Sequence, residues 1–414
     1  MLLAHLLRYL VRKGTLRVVD STGKTHVFSG EPGPSLSIRI KTRAAERKIA
    51  LHPTLYTGET FMDGTLTVDD GGAFELLDFF ILNTASIPKS ILTPLYDGLG
   101  HRFRWLQQYN PLDRSRRNVA HHYDLSDRLY DLFLEADRQY SCAYFSDPQT
   151  SLEQAQANKK RHLAAKLLLE PGMKVLDIGC GWGGLALYLA QECEVEVTGL
   201  TLSVEQLKVA QRRAAELGLS DRVKFELVDY RNAEGSYDRI VSVGMFEHVG
   251  TMQYETFFNK VRGLLAEDGV AVLHSIGRSD GPHQTNAWIR KYIFPGGYCP
   301  ALSEVMPVVE RSKLFVTDIE ILRLHYAETL RNWRERFFAN RDKIKAVYDE
   351  RFCRMWEFYL AGCEVAFRRQ NHMVFQIQMS KKVDAVPLTR DYITDWERAH
   401  APPLEASLPK NRAA

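Results

Sequence analysis

A chain of 414 residues, 45% hydrophobic and 25% charged, is long enough for two or three domains with packed cores, which excludes a disordered tail or a fibrous repeat. Its formal net charge of +3 is too small to argue a nucleic-acid binder, and no stretch approaches the roughly 18 uninterrupted apolar residues of a membrane span, so any membrane contact is peripheral. Six cysteines, with no C-x-x-C pair and no secretion signal beside them, argue against a disulfide framework or a zinc site and for reduced thiols in a cytoplasmic setting.

The first thirteen residues place Leu3, Leu6, Leu7 and Leu10 on one helical face, interrupted by His5 and Arg8. Packing onto its own domain is preferred over lying on a membrane surface. From Thr15 to about Phe80, short alternating runs are separated by turn signals at 21–23, 29–34 and 69–72, which predicts a small amino-terminal α+β domain over 1–90 without a catalytic constellation. That domain is assigned to lipid or partner contact. A helical segment, Pro88 to Gln108, and a polar connector, Tyr109 to Asn118, form a basic linker over 91–118. Arg102, Arg104, Arg114, Arg116 and Arg117 stand there against Asp113 alone, a face suited either to solvent or to anionic phospholipid.

The second domain, 119–390 with a tail over 391–414, is organised around Val175-Leu-Asp-Ile-Gly-Cys-Gly-Trp-Gly-Gly184. This is the end of a buried strand, a glycine turn and the start of a helix. An open α/β sheet builds ligand sites that way, at the carboxyl edge of its strands. The spacing is not G-x-G-x-x-G, and Asp177 precedes the turn, which disfavours a pyrophosphate. An acid at the strand end suits a ligand carrying an ammonium or sulfonium charge and ribose hydroxyls, and so points to S-adenosylmethionine. Strands are expected at Glu196–Thr201, Val223–Asp229, Asp238–Val243 and Val270–Ile276, alternating with helices. Ser203 should cap the helix that follows the first of these, with Gln206 completing a capping box. Asp177, Thr201, Asp229, Glu247 and His274 all fall at carboxyl ends. An insertion over 278–313, rich in Gly, Pro and aromatics, is expected to hold helices and to lie over the substrate. A helical, charged section follows it.

An ordered set of motifs now accumulates: His121-His-Tyr-Asp-Leu-Ser126, Tyr140-Ser-Cys-Ala-Tyr-Phe145, Leu176-Asp-Ile-Gly-Cys-Gly-Trp-Gly183, Gly199-Leu-Thr-Leu-Ser203, Phe246-Glu-His-Val249, Lys291-Tyr-Ile-Phe-Pro-Gly-Gly297, His325-Tyr326 with Trp333, and Ala361-Gly-Cys363. Together they resemble the cyclopropane-fatty-acyl-phospholipid synthases, relatives of the mycolic acid cyclopropane synthases, over about residues 115 to 385. The resemblance implies a Rossmann-like class I methyltransferase domain with a mostly parallel seven-stranded sheet. The implied reaction transfers a methylene from S-adenosylmethionine to the cis double bond of an unsaturated phospholipid. The alkene attacks the sulfonium methyl, and the resulting cation must lose a proton to close the ring. Such a site must exclude water, face the cation with π surfaces or negative charge, and supply a base.

By the same resemblance the base is a bicarbonate, held by Cys142, Glu247, His274, Tyr326 and a backbone group of Ile276. Glu247 beside an anion should then have a raised pKa. Cys363 matches a cysteine that the family places at the active site, although no step requires a thiolate nucleophile. For the cofactor, Tyr140 and Ser141 are expected over the methionine end, Asp177, Gly179, Cys180 and Gly181 in the turn, Thr201, Leu202 and Gln206 at the ribose, and Tyr230 and Arg231 beside the adenine. No metal is implied. The resemblance also implies cytoplasmic enzyme at the inner face of the membrane, and leaves a homodimer open. Rival readings are a family member giving a methyl-branched or methylene product, a small-molecule or protein methyltransferase, and a lipid-binding scaffold. The apolar insertion argues against the second, and the intact Asp177, Glu247 and His274 against the third.

Overall fold

The computed structural model describes residues 2–84 and 127–401. The expected helix at Pro88–Gln108, the basic connector with its arginines, the His121–Ser126 motif and the end of the tail lie outside them.

Residues 2–84 carry α1 (Leu2–Leu10), β1 (Lys13–Val19), β2 (Thr25–Ser29), β3 (Glu31–Ile40), α2 (Arg43–Leu51), α3 (Pro53–Met62), β4 (Leu66–Val68) and α4 (Ala73–Thr84). The strands form a sheet in the order β2-β1-β3-β4. Helix α1 buries Leu3 and Leu7 and leaves His5 and Arg8 exposed, so it packs on its own domain. Alternation is visible in β1, where Leu16 and Val18 point to the core. The turn expected over 29–34 is shorter than that. Pro32 and Pro34 lie inside β3, at the register shift between Lys13 and Thr15 of β1, where prolines interrupt no regular ladder.

After a helical turn at Asp127–Tyr130 come α5 (Leu152–Leu167), β5 (Lys174–Ile178), α6 (Gly184–Glu192), β6 (Glu196–Leu200), α7 (Val204–Glu216), β7 (Val223–Glu226), β8 (Tyr237–Val243), α8 (Tyr254–Leu264) and β9 (Leu265–Arg278). Next follow α9 (Ala287–Tyr292), α10 (Leu302–Arg311), β10 (Phe315–Leu322), α11 (His325–Ala339), a helix at Arg341–Val347, α12 (Glu350–Arg369), β11 (His372–Ser380) and α13 (Asp391–Ala399). The second sheet has seven strands in the order β10-β11-β9-β8-β5-β6-β7. Strands β5 to β9 pair in parallel and β11 is antiparallel to both of its neighbours. Every residue of β5 after Lys174 is buried, as a central parallel strand with both faces covered requires. Its neighbours β6 and β8 depart to opposite sides, which makes the end of β5 a topological switch point.

Two sequence expectations are corrected here. The section after the insertion is not helical throughout, because it supplies β10 and β11. The capping box at Ser203 is half formed: Ser203 Oγ accepts from Gln206 N at 3.3 Å, but the Gln206 side chain is engaged by Thr201, and Ser203 N donates to Thr201 Oγ1 at 3.2 Å instead.

The insertion does hold helices, and α9 ties the two sheets' domains together. Trp288, buried, packs over Gly58 of α3, donates Nε1–H to Met62 Sδ at 3.1 Å and meets Phe358 of α12 edge-on at 4.8 Å. One apolar cluster runs from Leu16 and Phe79 through Trp288 to Trp333 and Trp356, so the amino-terminal domain shares a core with α11 and α12.

Candidate active site

Two chambers meet at the carboxyl edge of the large sheet. The smaller is lined by all eleven positions expected to hold the cofactor: Tyr140, Ser141, Asp177, Gly179, Cys180, Gly181, Thr201, Leu202, Gln206, Tyr230 and Arg231. Asp177 is buried at the end of β5, its Oδ2 has no hydrogen-bond partner, and burial pushes its pKa up to about 7. Only the more distant charge of Lys159 opposes this, so a carboxyl in that state would be stabilised further by a cationic ligand. Gly179 (φ +87°) and Gly181 (φ +55°) turn the chain out of the strand in the left-handed region. A Cβ on Gly179 would lie 2.8 Å from that of Met245, whereas nothing stands within 4 Å of the same position on Gly181, so the backbone there is open to a ligand.

Thr201 Oγ1 donates to Gln206 Oε1 at 2.9 Å, which leaves the Gln206 amide nitrogen as the end for ribose oxygens. Arg231 lines the chamber but its guanidinium grips Asp229 through two bonds of 2.8 and 2.7 Å and is neutralised there. Tyr230 is fixed edge-on against Phe257 at 5.4 Å. Asp229 itself is part of the wall, at a strand end that the sequence marked without giving it a role.

The larger chamber is a cavity of about 1700 Å³. Its wall carries all six residues implied for catalysis, Cys142, Glu247, His274, Ile276, Tyr326 and Cys363. Glu247 sits in the helical turn after β8; its Oε1 accepts from Ile276 N at 2.6 Å and its Oε2 is buried without a partner. Burial raises its pKa to about 7. The direction is the expected one, and desolvation by burial causes it here. Ile276 therefore spends its N–H on Glu247, and its carbonyl accepts from Ser275 Oγ at 3.0 Å. His274 Nδ1 lies 3.2 Å from Gln376 Nε2, and burial with the charges of Lys159 and Lys166 holds the imidazole far below its ordinary pKa, so the ring is neutral. The Cys142 thiol donates to Ala143 O at 3.3 Å and burial keeps it protonated. Tyr326 packs edge-on to Trp333 at 5.8 Å. Cys363 is pushed up to about 12 by burial and lines the cavity as a neutral thiol, which lacks the charge of a nucleophile.

Tyr140, Ser141, Gly244 and His248 belong to both walls. His248, which the motif Phe246–Val249 contained without a role, is held neutral near pKa 4 by burial and lies edge-on to Phe294 at 5.9 Å. Tyr140 stacks on Trp333 at 5.0 Å, and its hydroxyl lies 2.6 Å from that of Tyr359. The largest omission in the sequence reading concerns the amino-terminal domain. Leu3, Leu7, Leu10, Ile38, Ile40, Leu77 and Phe80 supply much of the cavity's apolar lining. No short-range pattern announces this; it arises from the docking of α1, β3 and α4.

Comparison with known proteins agrees with this geometry. Residues 111–377 match the family model described as mycolic acid cyclopropane synthetase. The chain is 42% identical over 360 residues to a probable fatty acid methyltransferase of Pseudomonas putida, covering 83% of this chain and 86% of that one. It is 38% identical over 355 residues to the cyclopropane-fatty-acyl-phospholipid synthase of Escherichia coli K12, covering 84% and 88%. A crystal structure of a mycolic acid cyclopropane synthase, CmaA1, complexed with SAH and CTAB superposes with a TM-score of 0.61 at 34% identity, covering 66% of this chain and 99% of that one.

Proposed function

The chain belongs to the mycolic acid cyclopropane synthetase family of S-adenosylmethionine-dependent methyltransferases, and we propose that within it the enzyme delivers a methylene to the cis double bond of an unsaturated phospholipid. The observation that carries this reading is the shared wall. A smaller chamber holding the buried Asp177 carboxyl opens against a cavity of about 1700 Å³ whose lining is predominantly apolar, and Tyr140, Ser141, Gly244 and His248 line both. A ligand methyl at that wall would face an acyl chain and not water.

S-adenosylmethionine, when bound, supplies an electrophilic methyl. The chain's part is to place an olefin against it. The alkene carbon forms the new C–C bond as the C–S bond breaks with its electron pair going to sulfur, and the positive charge moves to the acyl chain. Tyr140 and Tyr326, packed against Trp333, put aromatic rings in the cavity wall, where π electrons would stabilise a cation. The new methyl then loses a proton and closes the ring. Cys142, His274 and Glu247, with Tyr326 on the same cavity wall, would suit bicarbonate, an anion able to accept that proton near neutral pH. The unpartnered Oε2 of Glu247 supports the fit.

The test is incubation of purified enzyme with S-adenosylmethionine and vesicles of unsaturated phospholipid, followed by mass and ring analysis. A gain of one CH2 with a cyclopropane ring is expected. Alkylation of an oxygen or nitrogen acceptor, with no consumption of cofactor on unsaturated lipid, overturns the reading. The Pseudomonas putida relative favours a second outcome, a methyl-branched or methylene product, which the ring analysis separates.

Asp177 gives a prediction about binding. Because only its carboxylate attracts the cofactor's positive charge, affinity should rise as pH increases through about 7. Calorimetry between pH 5.5 and 8 should show about a tenfold gain, and Asp177→Asn should remove it. An affinity flat over that range separates Asp177 from the cofactor.

Among the described residues no helix is long and apolar enough to cross a membrane. Membrane contact is proposed at α1, where Leu6 and Tyr9 are exposed yet also line the acyl cavity, beside the exposed Arg8 and Arg12. We place the enzyme, on this reading, at the inner face of the membrane, as a monomer or a homodimer. A Leu6→Asp, Tyr9→Asp variant should lose activity on vesicles and keep it on detergent-dispersed lipid. Unchanged vesicle rates would remove α1 from the contact.

A further inference from the structure

We infer that Lys159 is a positioning residue: its ammonium fixes the segment Gln139–Cys142 that separates the two chambers and turns the Ser141 hydroxyl into a donor toward the cofactor's carboxylate end. This deepens the proposed reaction and rests on it.

Lys159 lies on α5, in a Lys-Lys-Arg-His run that reads as a solvated helix face, yet it is completely buried. Its Nζ donates to Gln139 Oε1 at 2.7 Å and to Ser141 Oγ at 2.8 Å. Among the described residues no carboxylate lies within ion-pair distance of it. A buried ammonium whose partners are neutral oxygens is costly, and an apolar side chain of similar length would fill the space without that cost. The charge therefore has a use beyond packing.

Its neighbours on α5 indicate the use. One turn earlier, Gln156 Nε2 donates to the carbonyls of Gln139 at 3.1 Å and Ser141 at 3.0 Å. Gln156 thus holds the backbone of the segment while Lys159 holds the side chains of the same two residues. Between them Tyr140 stacks on Trp333, and beyond them Cys142 enters the acyl cavity. A hydroxyl oxygen that accepts from an ammonium directs its own hydrogen elsewhere. Ser141 lines both chambers, so its O–H is available to an acceptor there, and the carboxylate of a bound amino-acid cofactor is such an acceptor.

The charged and titratable groups around Lys159 are Glu135 and Asp137 in the preceding loop, Lys160 on α5, Asp177 on β5, and Cys142 and His274 on the cavity side. Burial outweighs the attraction of Glu135 and brings Lys159 down to about 8. Above that pH the ammonium is lost, and with it the orientation of Ser141. The Michaelis constant for S-adenosylmethionine should climb above about pH 8 in the wild-type enzyme.

The experiment compares Lys159→Met, Ser141→Ala and the double variant. Each is read by melting temperature, by calorimetric affinity for S-adenosylmethionine, and by kcat and KM across pH 6.5 to 9.5. Lys159→Met should melt close to wild type, because removing the buried charge offsets the cost of stranding Gln139 Oε1. It should lose at least tenfold in cofactor affinity and no longer show the alkaline rise in KM. Ser141→Ala should lose at least fivefold, and the double variant should be no weaker than Lys159→Met alone, since both remove one interaction. Additive losses, or single variants within twofold of wild type, overturn the inference. If Lys159→Met does not fold, Ser141→Ala decides: wild-type affinity with the alkaline rise intact overturns it, and loss of both supports it. Calorimetry needs no lipid, so an enzyme that binds cofactor as expected but makes no cyclopropane refutes the proposed reaction and leaves this test standing.

Discussion

Glu247→Gln is expected to lower turnover on unsaturated phospholipid by at least about a hundredfold while leaving S-adenosylmethionine affinity within about tenfold. The substitution is nearly isosteric, and a Gln oxygen can still accept the Ile276 N–H that now reaches Oε1 at 2.6 Å. What it removes is the capacity to titrate near pH 7, where burial has placed this carboxyl. The sign for stability follows from that shift. A carboxyl whose folded pKa is raised above the ordinary 4.5 is favoured in the folded protein while protonated, and folding is weakened as pH rises from 4.5 through 7. Above pH 7 the penalty reaches about 3 kcal/mol. Glu247→Gln should therefore melt no lower than wild type at pH 8, and lost turnover cannot then be ascribed to unfolding. If Glu247 titrates during turnover, wild-type kcat should inflect near pH 7 and the variant should not. Wild-type turnover in this variant would remove Glu247 from the chemistry. His274→Ala should lose turnover similarly but also cost stability, since it strands the buried Gln376 amide.

The route from sequence to this site was uneven, for physical reasons that differ between elements. The central strands β5, β8 and β9 were legible as apolar runs covered on both faces, and the edge strand β7 by its alternation, Val223 and Phe225 buried between exposed Lys224 and Glu226. Thr201, Gln206, Asp229 and Glu247 were legible as positions because each follows the end of such a strand. Strand β11 was hidden by its own chemistry. Gln376 and Gln378 make it look polar, yet both are buried, one beside His274 and the other donating to the Lys166 carbonyl at 2.6 Å. Lys159 was hidden for the opposite reason, since nothing in its neighbours along the chain distinguishes a buried lysine from a solvated one. The capping box at Ser203 was half right because Thr201 competes for the Gln206 side chain, a contact that spacing does not encode. The amino-terminal part of the larger cavity's lining exists only through docking, and alternation within β1 or α1 says which residues are buried without saying against what.

That docking can be tested at one side chain. Trp288→Ala should destabilise the protein by about 3–5 kcal/mol, the usual cost of emptying a buried aromatic site. Trp288 is 1% exposed and its ring touches both sides of the junction: Gly58 and Met62 in α3 on one, Phe358 in α12 on the other. Gly58 is the counterpart of the wedge. A Cβ there would stand 2.5 Å from the indole, so Gly58→Ala should damage the same seat from the opposite side, by about 1–3 kcal/mol. The functional consequence should be selective. Trp288 lines the larger cavity and not the smaller chamber, and α3 contributes Pro53, Thr54 and Thr57 to that same cavity. Loosening the junction should raise KM for unsaturated phospholipid several-fold and leave S-adenosylmethionine affinity unchanged. Denaturant melts and paired KM measurements on both variants check this. A drop in cofactor affinity equal to the loss in lipid KM would mean that the amino-terminal domain supports the whole catalytic fold, and that its lining of the cavity is incidental.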